Sequence, residues 1–320
     1  MHSVFVLSTA VAYLSLACQT FAIPLSARWG SGLNTAGFSN PVISQSAGGK
    51  AICVTANVPV KASATNTKFN FATPANQSVV TETFVEFLQV GSTLVSSINA
   101  GPTTVSGTYN INAKLCVPAG STSLSPTVLF LIHGIGFDKG YWDFAPGYSL
   151  VDAAATAGYT TFSFDRLGTG ASDHPDPIQV VQSALETEIA HQLIQMLRTG
   201  ALAGVTYKNV IGIGHSFGAM QCQGITADYP NDLDAVVLTG FTLNGAGVPA
   251  TFADWNSAIA NVNQRTRFGA LSNGYLVWSE AIGNQVSFFR MPNYDASSKF
   301  GPSTSGTKTY TKIELLVSLA

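Results

Sequence analysis

A serine between two glycines is the first candidate for chemistry in this sequence. Ser216 occupies the pattern G-x-S-x-G, with Gly214 before it and Gly218 after it. Residues 208–211 form a short apolar run typical of a strand, and residues 219–229 have the composition of a helix. A tight turn between a strand and a helix lifts a serine hydroxyl clear of the sheet, and glycine leaves room where backbones approach closely. The pattern therefore predicts a nucleophile at a helix amino terminus, where free amides favour a developing negative charge.

Two further motifs precede the serine, and each follows a run with strand character. The first is H-G-I-G-F at 133–137, directly after the apolar run 127–132. The second is D-R-L-G-T-G-A-S-D at 165–173, directly after the run 159–164. Each motif is weak by itself, but the three together and in this order are highly specific.

With these three motifs, the sequence resembles the α/β-hydrolase superfamily, and fungal secreted members of it, over roughly residues 50–320. The resemblance implies an α/β fold with a mostly parallel sheet, helices on both faces, antiparallel amino-terminal strands and an inserted lid. It also implies that Ser216 attacks carboxylic esters or related acyl groups and forms an acyl-enzyme. Relatives that open epoxides or remove halide carry aspartate at this position.

The resemblance assigns roles to the residues around the serine. The family builds its oxyanion hole from two backbone amides, which implies Phe217 and either Ile135 or Gly136. His133 is expected to hold its loop rather than to act as a base, and Asp165 and Arg166 are expected to order theirs through an ion pair or hydrogen bonds. The residues expected to shape the site are His133, Gly134, Asp165, Arg166, Gly214, His215 and Gly218.

The acid and the histidine of the family follow the nucleophile in the chain, and here the sequence departs from the pattern. The histidines are His2, His133, His174, His191 and His215. None follows Ser216, and the later aspartates, including Asp232, are predicted to lie on the surface or in the lid. We therefore expect a truncated, inactive or severely impaired hydrolase whose last strands are missing after Ala320, with an exposed sheet edge. The alternative is a non-catalytic pseudoenzyme of the same fold that binds a small molecule.

Hydrophobic periodicity predicts the strands that would position these motifs. Alternation over 51–60 and runs at 82–90 and 105–117 predict the antiparallel strands. From residue 127 onward strands alternate with helices, which predicts a parallel sheet.

One long helix is predicted between the second and third motifs. Asp176 and Pro177 are expected to begin it and Gly200 to end it. Its apolar stripe has a constant spacing of four residues and consists of Val181, Leu185, Ile189, Leu193 and Leu197. Residues 252–262 are predicted to form a further short helix.

Composition limits the class of protein. The chain has 320 residues, of which 46% are hydrophobic and 10% charged, with a net charge of -2. This balance favours a globular protein and disfavours nucleic acid or an anionic membrane as partner. We predict a signal peptide at 1–22 cleaved near Ala22, an irregular arm at 23–50, an α/β-hydrolase core at 51–244 and a lid region at 245–320. The product would be secreted, with no membrane span.

Cysteines and aromatic residues add further expectations. An oxidising compartment favours a Cys53–Cys116 disulfide over two free thiols, and Cys222 is predicted to be a packed free thiol. Asn76 begins an N-Q-S triplet and is a candidate glycan acceptor. Aromatic residues over 245–300 predict an apolar inner face for the lid, and hence a small ester-like substrate with an apolar group. No clustered ligand set indicates a metal, and nothing indicates a cofactor.

Overall fold

The computed structural model describes residues 33–280, 282–283, 288 and 310–311. The predicted signal peptide and part of the predicted lid region lie outside the described residues. The strands are β1 (Ser39–Gln45), β2 (Ala51–Phe69), β3 (Asn99–Pro118), β4 (Thr127–Ile132), β5 (Asp143–Ala145), β6 (Tyr148–Ser149), β7 (Thr160–Phe164), β8 (Asn209–His215), β9 (Ala235–Thr239), β10 (Ser257–Ile259), β11 (Tyr275–Trp278) and β12 (Tyr310–Thr311). The α-helices are α1 (Gln77–Phe87), α2 (Leu94–Ile98), α3 (Leu150–Thr156), α4 (Ser183–Thr199), α5 (Phe217–Asp228), α6 (Val248–Asp254), α7 (Ala260–Asn263) and α8 (Arg265–Phe268), and two 3₁₀ turns lie at Lys139–Trp142 and Gly245–Gly247.

Seven strands form one mixed sheet in the order β1-β2-β3-β7-β4-β8-β9. The ladder from β1 through β2 and β3 to β7 is antiparallel, whereas β7, β4, β8 and β9 run parallel to one another. The predicted antiparallel start and parallel continuation are therefore both present. β9 is the last strand of this sheet within the described part of the chain, and all five of its residues are exposed.

Helices cover both faces of the sheet, as predicted. Along β4, Phe130 and Ile132 belong to one core cluster and Leu131 to another, so successive side chains are buried on opposite faces. The stripe of α4, including Leu193, packs into the first cluster, and Val151 of α3 packs into the second. A strand buried on both faces needs an unbroken apolar run, which is the pattern that β4 has.

α4 begins later than predicted. Its first residue is Ser183, and Asp176 lies ahead of it. The Asp176 carboxylate accepts hydrogen bonds from the backbone N–H groups of Ile178 (2.8 Å) and Gln179 (2.7 Å), so it caps a separate turn before the helix. The predicted end is confirmed, since Gly200 adopts the left-handed conformation with φ 77°.

Residues 82–90, predicted as a strand, belong mainly to α1. Asn76 is the N-cap, and its side chain accepts a hydrogen bond from the first turn. The apolar residues Val80, Phe84 and Phe87 recur at spacings of four and three and lie in one apolar cluster. The strand prediction was wrong because the helical period and the cap outweigh a short local alternation.

The predicted irregular arm at 23–50 contains a strand. β1 pairs antiparallel with β2, although its side chains are mostly exposed and carry no amphipathic signal. The turn between the two strands is fixed from outside by Asp152, whose carboxylate accepts from the N–H groups of Gly48 (2.6 Å) and Lys50 (3.1 Å). This partner is about 100 residues away in the chain, so the arm's sequence does not reveal it.

The segment after β9 mixes short helices and strands. The helix predicted over 252–262 is instead the end of α6, then β10, then α7. β10, β11 and β12 form a small antiparallel sheet. Gln77 joins α1 to this sheet, because its side chain donates to Ser257 O (2.9 Å) and accepts from Ile259 N–H (3.0 Å). No helix among the described residues has the length and apolar character needed to cross a bilayer.

Candidate active site

Ser216 lies in a strained turn between β8 and α5. Its backbone has φ 53° and ψ -118°, a conformation that residues with a Cβ atom rarely adopt. The turn is held on both sides, since Ser216 N–H donates to Thr239 O (2.9 Å) and Ser216 O accepts from Ala219 N–H (2.9 Å). A serine fixed in this way projects from the end of the strand instead of following either flanking element.

The two flanking glycines are required by space. A Cβ atom on Gly214 would lie 2.5 Å from Ala219 N, and one on Gly218 would lie 2.8 Å from His133 O. Both distances are shorter than non-bonded atoms tolerate, so the close approach of α5 to β8 and β4 depends on these glycines. The sequence motif is therefore explained by backbone contact on both sides of Ser216.

The loop after β4 lies directly against Ser216. A Cβ atom on Gly134 would lie 3.1 Å from the Ser216 Cβ. Gly134 O accepts from His133 Nδ1 (2.8 Å) and from Phe137 N–H (3.4 Å). That carbonyl shares a peptide plane with the N–H of Ile135, and a peptide plane is rigid, so the two hydrogen bonds fix the direction of the Ile135 N–H. The peptide that carries the Ile135 N–H, one of the two expected second donors, is therefore held in place.

Phe217 is the residue expected to supply the first donor. It is the first residue of α5, and the first N–H groups of a helix have no acceptor inside it. The helix dipole adds positive potential at the same point. The Phe217 ring itself is buried.

His133 is fully committed to holding its loop. Its Nδ1 donates to Gly134 O, so its Nε2 carries the lone pair that accepts from Arg166 N–H (3.1 Å). Burial, aided by the nearby Arg166 charge, lowers the pKa of His133 to about 3. The ring is thus neutral, with neither nitrogen free to accept a proton from Ser216.

His215 is occupied by another contact. Thr239 Oγ1 donates to Gly214 O (3.0 Å), so it accepts from His215 Nδ1–H at 3.1 Å. The ring stacks on Tyr141 with centroids 4.8 Å apart, and burial lowers the pKa of His215. Within the described residues, no hydrogen bond joins any histidine to the Ser216 hydroxyl.

The remaining described histidines lie on other elements. His174 packs against the ring of Tyr275, with centroids 5.3 Å apart. His191 of α4 lies 2.7 Å from the Asp232 carboxylate and stacks on Tyr229. Asp232 is only 4% exposed, so its prediction as a surface or lid residue was wrong. A buried polar side chain needs a partner, and the helix packing supplies His191.

Asp165 and Arg166 order their loop, but each has a different ionic partner. Asp165 pairs with Lys139 Nζ (2.7 Å) and also accepts from Ala171 N–H (2.8 Å). Arg166 pairs with Glu186 on α4 at 3.0 Å. Burial raises the pKa of Asp165, and the Lys139 charge opposes that rise. The sequence did not identify Lys139 and Glu186 as the ionic partners, because nothing distinguishes them from other charged residues in the chain.

An apolar wall covers the loop after β4. Its buried members are Val80, Ile135, Phe217, Phe252, Trp255, Ile259, Leu276 and Trp278, and its partly buried members are Phe84, Phe87, Phe137 and Val248. Trp278 lies so close to Gly136 that a Cβ atom there would be 2.6 Å from the indole ring. Phe137 meets Trp278 edge to face, with centroids 5.9 Å apart. The wall therefore combines α1, the segment after β9, the loop after β4 and the start of α5.

The other predicted sites lie away from this centre. A disulfide joins Cys53 of β2 to Cys116 of β3, where the two residues are direct cross-strand partners. Cys222 is a buried free thiol whose pKa burial raises to about 12. Asn76 is exposed at the N-cap of α1. Among the described residues, no group of three or more His, Cys, Asp or Glu side chains is arranged to hold a metal ion.

Comparison with known proteins gives a family match over the region that contains these motifs. Residues 128–306 match the model of a family described as "Alpha/beta hydrolase family". Protein ABHD8 of Bos taurus and of Homo sapiens are each 27% identical to this chain over 143 residues. That match covers 45% of this chain and 29% of the length of those relatives.

Solved structures also match this chain in part. Rv0554 from Mycobacterium tuberculosis is 20% identical, with a TM-score of 0.35 over 46% of this chain and 47% of that one. The epoxide hydrolase VrEH1 from Vigna radiata is 18% identical, with a TM-score of 0.33 over 49% and 44% of the two chains. Epoxide Hydrolase A from Mycobacterium thermoresistibile is 23% identical, with a TM-score of 0.32 over 40% and 35%.

Proposed function

Because the chain belongs to the α/β-hydrolase family, we propose that Ser216 is the nucleophile of an acyl-transfer site that acts on carboxylic esters or related acyl compounds. The observation that carries this proposal is the backbone of Ser216, at φ 53° and ψ -118°. Strain of this kind persists only where the surroundings impose it, and it is concentrated at functional sites. Here the flanking glycines and the contact with the loop after β4 impose it.

The proposed reaction uses Ser216 together with the loop after β4 and the start of α5. Ser216 Oγ attacks the carbonyl carbon, the carbonyl electrons move to oxygen, and a tetrahedral oxyanion forms. The N–H groups of Phe217 and Ile135 are the proposed donors to that oxyanion. The hydroxyl proton of Ser216 passes to water as the serine attacks. When the tetrahedral intermediate collapses, the bond to the alcohol oxygen breaks and the departing alkoxide takes up a proton from water, so that an acyl-serine remains. Water then hydrolyses this ester to the free acid and regenerates the Ser216 hydroxyl. Each pre-oriented donor is worth about 3–4 kcal/mol at the transition state, because its dipole needs no reorganisation.

The apolar wall supports a substrate with an uncharged, apolar acyl or alcohol group. It places the aromatic side chains of Phe137, Phe217 and Trp278 beside the loop after β4 and the start of α5. A charged group placed against these rings would lose its hydration without gaining a partner. Esters of short or medium apolar acids fit this chemistry better than anionic substrates.

The 320 residues contain no histidine after Ser216, and His133 is neutral and fully hydrogen-bonded. We therefore expect slow turnover from this chain. Binding and oxyanion stabilisation without a functional triad leave about 10³–10⁴-fold acceleration over water. The same observation favours a second candidate function, in which the site binds an apolar small molecule without turning it over.

Turnover of aryl esters of graded acyl length separates the two functions. We expect the 320-residue protein to release the phenol faster than its Ser216→Ala variant, and a fluorophosphonate to label Ser216. Equal rates and no label in either protein would refute the nucleophile. If both proteins then bound an apolar fluorescent ligand with equal affinity, the non-catalytic function would be supported instead.

We also propose that the protein is secreted. The Cys53–Cys116 disulfide supports this, because disulfides persist in oxidising compartments. Expression in a secreting host, followed by amino-terminal sequencing of the medium fraction, tests the proposal. A mature chain beginning at Ile23 is expected, and an intracellular product retaining Met1 would contradict it.

A further inference from the structure

Arg166 lies between the two segments that carry the candidate oxyanion donors. It is 1% exposed. Its backbone N–H donates to His133 Nε2 (3.1 Å), and His133 Nδ1 holds the Gly134 carbonyl. Its guanidinium carbon lies 4.6 Å from the centroid of the Phe217 ring. One residue therefore contacts the loop after β4 through its backbone and the start of α5 through its side chain.

A buried carboxylate fixes the guanidinium in place. Arg166 Nη1 donates to both oxygens of Glu186, at 3.1 and 3.0 Å. Gln221, one turn into α5, donates its side-chain amide to Glu186 Oε2 at 3.0 Å. Glu186 lies on α4 with its side chain only 2% exposed. The same carboxylate thus sets the position of Arg166 and of the first turn of α5.

Only an arginine can make these contacts together. A guanidinium is planar, so its edge donates to a carboxylate while its face lies over an aromatic ring. A lysine ammonium in the same place would keep the charge and could donate to Glu186, but it would lose the flat face that lies over Phe217. Charge-assisted hydrogen bonds in a dry interior are also the strongest available for holding a backbone position.

We propose that Arg166, fixed by Glu186, is a positioning residue that holds the N–H groups of Phe217 and Ile135 at the spacing needed to bind one oxyanion. The Arg166 guanidinium contacts the ring of Phe217. The Arg166 backbone N–H reaches Ile135 through His133 and the Gly134–Ile135 peptide. This inference rests on the proposed function for its catalytic meaning, but the mechanical link is a separate, measurable property of the fold.

Hydrogen exchange measured by mass spectrometry tests the link without any need for activity. In Arg166→Met we expect amides in both 133–140 and 216–222 to exchange about tenfold faster. The segment 216–222 loses the guanidinium contact with Phe217 directly. The segment 133–140 responds indirectly, because the residue-166 N–H still reaches His133 but its backbone is no longer anchored through Glu186. Amides of β2 should be unchanged. Arg198→Met is the matched control: Arg198 lies on α4 and pairs with Asp234 at 2.8 Å, away from the donor segments. It should leave both donor segments unchanged.

Glu186→Gln serves as the second variant, because it preserves side-chain shape and is expected to fold even where Arg166→Met does not. The same two segments should respond, by a smaller factor. Faster exchange in one segment alone, or equally across the whole chain, would overturn the proposal. Arg166→Lys should not restore slow exchange, and full restoration would refute the argument from the flat guanidinium.

Kinetics give the second readout where Ser216-dependent turnover is present. Arg166→Met should lower kcat by about 100-fold with little change in KM, because misplaced donors weaken the transition state and not substrate binding. A rise in KM at constant kcat would contradict a role in the oxyanion hole. If the unmodified protein had no Ser216-dependent turnover, the proposed function would fail, while the exchange pattern would still decide the positioning role of Arg166.

Discussion

Replacing Ser216 first by alanine and then by glycine measures the strain held in the turn. Both variants lose the hydroxyl, so the difference between them isolates the Cβ atom at φ 53° and ψ -118°. Glycine tolerates positive φ, and alanine does not. We expect Ser216→Gly to be more stable than Ser216→Ala, although glycine normally destabilises ordered backbone.

Two opposing effects set the difference in free energy of unfolding between the two variants. Relief of a strained backbone conformation is worth about 1–3 kcal/mol. Glycine costs about 0.5–1 kcal/mol, because it gives the unfolded chain more freedom. The free energy of unfolding of Ser216→Gly should therefore exceed that of Ser216→Ala by about 0.5–2 kcal/mol. With an m-value of about 3 kcal/mol/M, the urea midpoint should rise by about 0.2–0.7 M.

Urea unfolding followed by tryptophan fluorescence provides the assay. Ala227→Gly is the matched control, since Ala227 is exposed in the same helix and has an ordinary negative φ. The free energy of unfolding of Ala227→Gly should be lower than that of the unmodified protein by about 1 kcal/mol. If Ser216→Gly were less stable than Ser216→Ala by a similar amount, the turn would not be strained and the main support for the nucleophile would be lost.

Three other substitutions test the surrounding structure. Gly218→Ala should prevent accumulation of folded protein, because a Cβ atom there would meet the backbone of His133. Gly224→Ala in the same helix should leave the stability unchanged or raise it, because a Cβ atom has space there. Equal tolerance of the two substitutions would contradict the close approach of α5 to the end of β4. The double alanine variant of Cys53 and Cys116 should lower the free energy of unfolding by about 4 kcal/mol, since the bridge spans a sequence separation of 63, and a loss below about 1 kcal/mol would argue against it. The pKa of buried His133 is lowered to about 3, so the neutral ring stabilises the fold fully above about pH 6.5, its pKa in the unfolded chain. As the pH falls from there towards about 3, the free energy of unfolding should decrease by up to about 1.4 kcal/mol per pH unit. If His133→Gln left this dependence on pH unchanged, the reasoning would be refuted.

Local sterics and periodicity made part of this protein predictable from sequence. Gly214 is required by backbone contact within the turn, and Gly218 by contact with the end of β4. Both leave a mark in the sequence motif, so the motif predicted the strand, turn and helix around Ser216 correctly. The unbroken apolar run of β4 and the four-residue stripe of α4 report burial through nearest neighbours in the chain. The three motifs in their order along the chain were enough to indicate the family.

Tertiary structure decided which residues meet. The partners of Arg166, Asp165 and His191 lie between 20 and 41 residues away, and they were set by which strands and helices became neighbours. A charged residue in a sequence carries no mark of its partner, since its buried location exists only after the sheet has formed.

The strand β1, which the sequence analysis missed, has the same cause, because it is ordered by pairing with β2. The helix α1 was missed for a local reason, because its N-cap at Asn76 and its helical period were read as the alternation of a strand. The sequence by itself indicated the serine, its glycines and the family, because each of the three motifs is a short run of residues whose types can be read directly. Only the fold decided the position of the loop after β4 against Ser216, the apolar wall and the partners of Arg166, because those depend on segments brought together from across the chain.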